Sequence, residues 1–330
     1  MASDLDVRFQ DLVSFLHSIP SRIFNIGADI LVPKRPCQLS RVPVIVRIHG
    51  GFLVTGSSLF PAWFSKWILE FAEEQSAVII SPNYRLLPEV KGMDIIEDMK
   101  NFWDWFGGNG PERCLRSVGR SEIQLDPEQL LLIGESAGGY LTLQSALLGF
   151  IKPRAMIVLY PMLDMLSDHF TTPYSKTIVG VPNFSPSVID NFLADLTEGA
   201  VVTEADPPAR LDLALAVVQN GRFLDILGDS PDLFILEKLK RRRAAVSKDS
   251  HESLFPHLYI LHGEQDSAVP VDGTLKLIEY VKNIDPAAKI HTAIRPGDHG
   301  FDYTASPNDK WMREGLNFVL KEWIRHDSKI

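Results

Sequence analysis

Apolar positions along the chain fall into two alternating kinds of segment. Val42 to Ile48 is a run rich in β-branched residues and closed by Gly50-Gly51. Ala77–Ile80, Leu130–Ile133, Ala155–Tyr160, Leu258–Leu261 and Ile290–Ile294 are further short apolar runs, and Ala28–Val32 is a weaker one. Continuous runs of this kind predict strands buried on both faces. Pro61–Gln75, Ile95–Phe106 and Ala137–Phe150 lie between them and read as helices, with Ile96, Met99, Phe102 and Trp103 on one face of the second. Residues 1–25 predict an amphipathic helix through Leu5, Phe9, Leu12, Phe15 and Leu16. The last helix is expected to start at Ser306-Pro307, a capping serine with proline at the first helical position, and to present Trp311, Leu316, Val319, Leu320 and Trp323 on one side.

Strand and helix in strict alternation predict an α/β fold built on a parallel, doubly wound sheet. The alternation stops from about Met162 to Ser253, where helical stretches and turns follow one another. Ligands of open α/β sheets bind at the carboxyl ends of the strands, so a helical insertion there is expected to cap a substrate pocket. The resulting division is a core of residues 1–161 and 254–330, with 162–253 as a mostly helical cap that the N-terminal helix of residues 1–25 could join.

Composition narrows the function classes. The chain has 330 residues, 45% hydrophobic and 23% charged, enough for a large core and too apolar for a disordered chain. Its formal net charge of −9 argues against general nucleic-acid binding. Two cysteines, Cys37 and Cys114, cannot build a disulfide framework and fit a reducing compartment. The N-terminus has early acidic residues and no long apolar run, so no signal peptide is expected, and no stretch of ~20 apolar residues predicts a membrane span. The expected location is intracellular and cytoplasmic. Ser328-Lys329-Ile330 is a near-variant of the Ser-Lys-Leu peroxisomal address. Homodimerisation stays open. His251, His257, His262 and His291 show no paired metal-ligand spacing, and no dinucleotide or phosphate fingerprint occurs, so neither metal nor cofactor is expected. The basic run Lys238–Arg243 reads as the solvated face of a helix.

The chemistry centres on Gly134-Glu135-Ser136-Ala137-Gly138, set between an apolar strand and a helix. A Gly-x-Ser-x-Gly in that context makes a sharp turn that lifts the serine hydroxyl above the sheet. A serine is a weak nucleophile at its free pKa and needs a base, and in this strand-turn-helix arrangement the acid and base follow the serine in the chain. Asp266 lies just after the strand Leu258–Leu261 and His299 after Ile290–Ile294, flanked by glycines. Ser136 is therefore the candidate nucleophile, His299 the base and Asp266 its orienting acid, with Glu264 and Asp298 as local rivals expected to be structural. The loop after the early strand, His49-Gly50-Gly51-Phe52, is the expected second source of oxyanion amides. Gly50, Gly51, Phe52 and Ala137 form the candidate oxyanion hole. Tyr84-Arg85 to Glu89 reads as structural.

These motifs resemble the hormone-sensitive-lipase-like family of α/β hydrolases, the carboxylesterases. The family's His-Gly-Gly-Gly-Phe, Tyr-Arg-Leu-Ala-Pro-Glu and Gly-Asp-Ser-Ala-Gly-Gly have counterparts in His49–Leu53, Tyr84–Glu89 and Gly134–Gly139. The resemblance spans about residues 40 to 325 and implies the α/β-hydrolase fold, a serine nucleophile and a small-molecule ester or thioester substrate. Phe52 stands where the family has its third glycine, Leu53 where it has phenylalanine, and Glu135 where it has aspartate. The expected activity is hydrolysis of carboxylic esters of small or medium acyl compounds through an acyl-serine, with Phe170, Tyr174, Phe184, Phe192 and Leu193 as apolar candidates for the pocket. Thioester release, lactone opening, or cyclisation or condensation of an activated, polyketide-like acyl compound keeps the same triad and is the alternative. A non-catalytic binding protein is the alternative of another class, disfavoured because His299 is present.

Overall fold

The computed structural model describes residues 12–20, 25–33, 41–245 and 253–325. Cys37, His251 and the Ser328-Lys329-Ile330 tripeptide lie outside them, as do residues 1–11 of the expected N-terminal helix.

The strands are β1 (Leu12–Pro20), β2 (Asn25–Pro33), β3 (Val42–Ile48), β4 (Val78–Pro82), β5 (Leu125–Glu135), β6 (Ala155–Leu159), β7 (His257–Gly263) and β8 (Ile290–Arg295). They form one eight-stranded sheet in the order β1-β2-β4-β3-β5-β6-β7-β8. Pairing is parallel from β4 to β8 and antiparallel at β1–β2 and β2–β4. The register sets Val46 against Leu132, Ile133 against Ile157, Ile157 against Tyr259 and Leu261 against Ala293. The sheet is thus the mostly parallel one that the alternation predicted, with antiparallel β1 and β2 at one edge, and it fits the α/β-hydrolase fold that the resemblance implies.

Both faces are covered, which is why the central strands read as unbroken apolar runs. Val44, Val46, Leu132, Met156, Val158 and Ile260 point into one core, and Ile45, Leu131, Ile133, Ile157, Leu159 and Leu261 into the other. The helices on the second face are α1 (Lys66–Glu74), through Trp67, Ile68 and Phe71, and the C-terminal helix Lys310–Trp323, through Met312, Leu316, Val319 and Trp323. The first face takes α2 (Gly92–Gly107), α3 (Gly110–Ser117) and α4 (Ala137–Leu147). The short α3 follows the glycine-rich loop and starts with Pro111 in its first turn, a position where the missing N–H costs nothing.

Two expectations fail. Leu12–Pro20 is a strand, not part of a helix: it pairs residue by residue with β2, from Leu12↔Pro33 to Pro20↔Asn25. The open edge of β2 offers a row of unpaired N–H and C=O groups, and that pairing overrides local helical spacing. Leu12–Pro20 therefore extends the sheet rather than joining the helical insertion. The last helix begins at Lys310, with Asp309 at its N-cap, not at Ser306-Pro307. Ser306 closes the turn ahead of it instead: Asn308 N–H donates to Ser306 Oγ at 3.2 Å and Asp309 N–H to Ser306 O at 3.0 Å.

Between β6 and β7 the described residues hold helices and no strand: α5 (Asp168–Thr171), α6 (Ser187–Ala194), α7 (Leu211–Gln219), α8 (Phe223–Leu227) and α9 (Ile235–Ala245). Helix α10 (Asp272–Ile284) follows β7, and Lys310–Trp323 is α11. The segment is tied back to the loop after β3 by paired backbone bonds between Gly56 and Ala205, 2.7 and 3.0 Å, and to the loop after β4 by the Arg210–Glu89 ion pair. Lys238 of the basic run turns inward to Gln144 Oε1 at 2.9 Å, whereas Lys240 stays exposed and pairs with Glu237. Phe170 packs against Phe223, with ring centroids 5.4 Å apart, and is buried; Tyr174 is exposed.

Lys176 staples this segment together. Its ammonium, on a buried residue, donates to the carbonyls of His169 (2.5 Å), Thr172 (3.1 Å) and Val218 (2.9 Å) near the ends of α5 and α7. Lys176→Met is expected to cost about 1–3 kcal/mol, because it removes the ammonium donor from the His169 and Thr172 carbonyls, while Val218 O keeps Gly221 N–H. The check is a lower denaturant midpoint at unchanged slope; an unmoved midpoint would show that water replaces the ammonium without loss.

Candidate active site

Ser136 sits between β5 and α4 with φ 56° and ψ −118°, a left-handed conformation that a non-glycine residue adopts only when its surroundings enforce it. Steric room explains how the turn closes. A Cβ on Gly138 would lie 2.0 Å from Ile48 O, so only glycine lets the start of α4 press against the end of β3. The backbone then locks: Ser136 N–H donates to Leu159 O at 2.9 Å and Met162 N–H to Ser136 O at 3.1 Å.

Behind the serine, Glu135 is buried and its Oε2 lies 2.6 Å from Arg47 Nε. Arg47 is itself spanned between Ser58 O (2.9 Å) and Trp63 O (3.0 Å) and lies over the Phe64 ring. Burial raises the Glu135 carboxyl above its ordinary value, while the Arg47 charge pulls it back. Glu135 in place of the family aspartate is thus half of a buried ion pair that ties the serine turn to β3.

Asp266 and His299 come together. His299 Nδ1–H donates to Asp266 Oδ2 at 2.8 Å, which leaves Nε2 with a free lone pair, the tautomer of a general base. Asp266 Oδ1 accepts from Ala268 N–H (3.0 Å) and Val269 N–H (2.8 Å). His262 Nε2 lies 3.4 Å from Asp266 Oδ2 and 2.8 Å from Val269 O, with Nδ1 at 2.8 Å from Thr274 Oγ1. Burial pushes the Asp266 carboxyl up, but the His299 charge and the hydrogen bonds from His262, His299 and Val269 outweigh it and hold the group well below its ordinary 3.8. A depressed carboxylate stabilises the fold fully above its unfolded value and loses that contribution as pH falls through the folded one. Asp266→Asn is therefore expected to be less stable than the wild type at neutral pH, with the gap starting to narrow only as pH falls below the ordinary carboxylate range and closing well beneath it. Urea melts across that range check this; parallel curves would contradict it.

The rivals are placed apart from the ring. Asp298 spends its carboxylate on Ser267 N–H (2.7 Å), Ser267 Oγ–H (2.8 Å) and His299 N–H (2.7 Å), joining the acid and base loops through their backbones. Glu264 is exposed. Val179 N–H of the helical insertion donates to Ser267 Oγ at 2.8 Å, so the insertion touches the loop next to Asp266. No hydrogen bond joins Ser136 Oγ to His299 among the described residues. The two meet through Tyr160 and its neighbours: Leu159 O receives the Ser136 amide, and the Tyr160 ring lies 4.3 Å from that of His299.

Gly50 approaches the serine so closely that a Cβ on it would lie 3.0 Å from Ser136 Cβ. Gly51, Phe52 and Leu53 follow with φ of 104°, 54° and 64°, a left-handed turn closed by Val54 N–H and Thr55 N–H on Gly51 O. Phe52 adopts its positive φ despite its Cβ and is buried. The amides of Gly51, Phe52 and Ala137 donate no backbone hydrogen bond among the described residues, so all three remain able to receive an anion. His49 is buried and stacks on Tyr84, centroids 4.3 Å apart; burial, then the Arg47 charge, lower it to about 3, so it is neutral. Tyr84 Oη–H donates to His49 O at 2.9 Å, and Arg85 pairs with Asp98 at 2.8 Å. Tyr84–Glu89 therefore braces the loop and supplies no group to the serine.

Tyr160 and Asp302 were not singled out from sequence. Asp302 is only three residues beyond His299, but its partners Ser65, Trp67 and Tyr160 are remote in the chain. A cleft of about 300 Å³ lined by Asp164, His169, Phe170, Val269, Asp272 and Lys276 lies beside the acid loop and contains none of Ser136, Asp266 and His299. No cluster of three or more histidine, cysteine or acidic residues able to hold a metal occurs among the described residues.

A strained serine at a strand-to-helix turn, a histidine–aspartate pair on later strand ends and free amides beside the serine are the constellation of a serine hydrolase. The profile of the alpha/beta hydrolase fold matches residues 45–220, and the chain belongs to that family. It is 30% identical over 306 residues to the probable carboxylesterase M8 of Phoma sp., covering 90% of this chain and 91% of that protein. It is also 27% identical over 330 residues to the non-reducing polyketide synthase ascC of Acremonium egyptiacum, covering 90% of this chain but 15% of the synthase. Among solved structures, carboxyl esterase 2 of Tuber melanosporum superposes with a TM-score of 0.57 at 16% identity, over 94% of this chain and 86% of that one.

Proposed function

We propose that the protein is a carboxylic ester hydrolase working through an acyl-serine on Ser136. The observation that carries this is the His299 Nδ1–Asp266 Oδ2 bond, which holds the imidazole in the tautomer that can accept the serine proton. Ser136 Oγ attacks the ester carbonyl as His299 Nε2 takes its proton, and Asp266 stabilises the imidazolium. The tetrahedral oxyanion is received by the amides of Gly51, Phe52 and Ala137 at the start of α4, whose dipole adds to them. His299 protonates the leaving alcohol, then takes a proton from water as the water oxygen attacks the acyl carbonyl, and returns that proton to Ser136 Oγ as the C–Oγ bond breaks and the acid leaves. The missing Ser136–His299 hydrogen bond closes in the reacting complex, as such bonds commonly tighten on substrate binding. The described part of residues 162–253 acts as the cap over the site; the Val179–Ser267 and Gly56–Ala205 bonds support that role. Among the described residues no helix is long and apolar enough to cross a membrane.

The second reading, transfer from a thioester to water or to an internal hydroxyl, is favoured by one finding: the match to the polyketide synthase runs along nearly the whole chain. The buried Phe52 adds a ring beside the oxyanion amides. The test is a set of acyl chains, each offered as its p-nitrophenyl ester and as its N-acetylcysteamine thioester, with mass analysis of the product. Free acid from the oxygen esters supports the ester hydrolase. Turnover of thioesters alone, or a cyclised product, replaces it with the second reading.

A further inference from the structure

The bond from Asp266 fixes one nitrogen of His299 but leaves the plane of the ring free to turn about it. Something else must hold that plane, and the Tyr160 ring lies against it, centroids 4.3 Å apart and planes at 55°. Tyr160 follows β6 with φ 37°, a strained conformation for a side chain of its size, and is buried. Its N–H donates to Leu261 O at 2.7 Å, which anchors the backbone to β7. Its hydroxyl donates to Asp302 Oδ1 at 3.0 Å. The other oxygen of Asp302 accepts from Ser65 Oγ–H at 2.6 Å and Trp67 Nε1–H at 2.8 Å, at the start of α1. Asp302 is fully buried, so its carboxylate has these three donors in place of water.

Simple core filling does not call for this arrangement. A phenylalanine and an apolar residue would fill the same space without the cost of burying a carboxylate. The phenol is also kept in its donor form: burial, then the Asp302 charge, hold it well above its ordinary value. Asp302 sits three residues beyond His299, in the turn Phe301–Thr304, so it grips the base twice, through the loop backbone and through the Tyr160 ring.

We infer that Tyr160, clamped by Asp302, is a positioning residue for the base: it holds the plane of the His299 ring during proton transfer. The inference rests on the acyl-serine reading above. When His299 becomes an imidazolium in the reaction, the Tyr160 ring lies within the ~6 Å over which an aromatic ring attracts a cation. The clamp therefore supports the ring when its charge appears, as well as before.

The experiment compares Tyr160→Leu and Tyr160→Phe with the wild type in three readouts: kcat and KM on a p-nitrophenyl ester, the thermal midpoint, and the His299 Cε1–H proton resonance, assigned by its loss in His299→Gln. Tyr160→Leu is expected to lower kcat about 100-fold, the cost of a misplaced catalytic group, with KM within about twofold. Tyr160→Phe keeps the ring but not the clamp, and is expected to recover about tenfold of that loss. The His299 resonance moves on loss of the neighbouring ring current in Tyr160→Leu and moves less in Tyr160→Phe. A folded Tyr160→Leu with wild-type kcat, no recovery by Tyr160→Phe, or an unmoved resonance overturns the inference. If Tyr160→Leu does not fold, Tyr160→Phe decides: unchanged kcat overturns it. If the wild type cleaves no ester but the resonance moves as stated, the hydrolase reading fails and the ring contact stands; wild-type turnover with an unmoved resonance is the reverse.

Discussion

Replacing Ser136 by alanine is expected to lower ester hydrolysis by about five to six orders of magnitude and to leave the thermal midpoint nearly unchanged. The size follows from the chemistry. Without Oγ no acyl-enzyme forms, and members of a triad act as a unit, so the whole covalent route is lost at once. What survives is the contribution of the oxyanion amides and of binding. The small effect on stability follows from the structure. The serine turn is held by Ser136 N–H on Leu159 O and by Met162 N–H on Ser136 O, neither of which uses the side chain. Its positive φ costs alanine about as much as serine. Activity loss accompanied by a large drop in midpoint would instead mark Ser136 as part of the scaffold.

Asp266→Asn is expected to lower kcat by about 10⁴-fold with substrate binding retained. The hydrogen bonds dictate which way the new amide points. Ala268 N–H and Val269 N–H both need an acceptor, so the asparagine oxygen takes the place of Oδ1. The NH₂ group then occupies the Oδ2 position, 2.8 Å from His299 Nδ1. An amide donor facing Nδ1 forces the proton to Nε2, and the imidazole can no longer accept the serine proton. Steady-state kinetics at neutral pH provide the check. A variant within tenfold of the wild type would mean that another carboxylate orients the base, and Asp298, already bonded to the His299 amide, would be the residue to replace next.

The sequence made the centre of the fold and the serine legible because both depend on local constraints. Strands buried on two faces must be continuous apolar runs, so β3, β4, β6 and β7 could be read within a residue or two, whereas β5 starts at Leu125, five residues before its apolar run, where it is partly exposed. The serine turn needs glycine at fixed offsets, and the chain shows it at Gly134 and Gly138. Elements that depend on partners were harder. Leu12–Pro20 carries apolar residues at helical spacing and becomes a strand only because β2 offers an edge. Ser306 looked like a helix cap, and its hydroxyl closes a turn instead.

The same distinction separates the site's visible and hidden parts. Chain order after successive strands points to Asp266 and His299 without any structure. The clamp behind His299 leaves no such trace, since Asp302 meets Ser65 and Trp67 across 237 and 235 positions. Arg47 is likewise an ordinary polar residue in an apolar strand until Glu135 is seen beside it.

On the acyl-serine reading, Ser136 is an activated nucleophile with His299 as its base. Labelling with a fluorophosphonate probe, followed by mass mapping, tests it whatever the substrate is. The wild type is expected to carry the label on Ser136, with none on Ser136→Ala and none on His299→Ala. A folded wild type that takes up no label, or a label that persists in His299→Ala, would contradict the account.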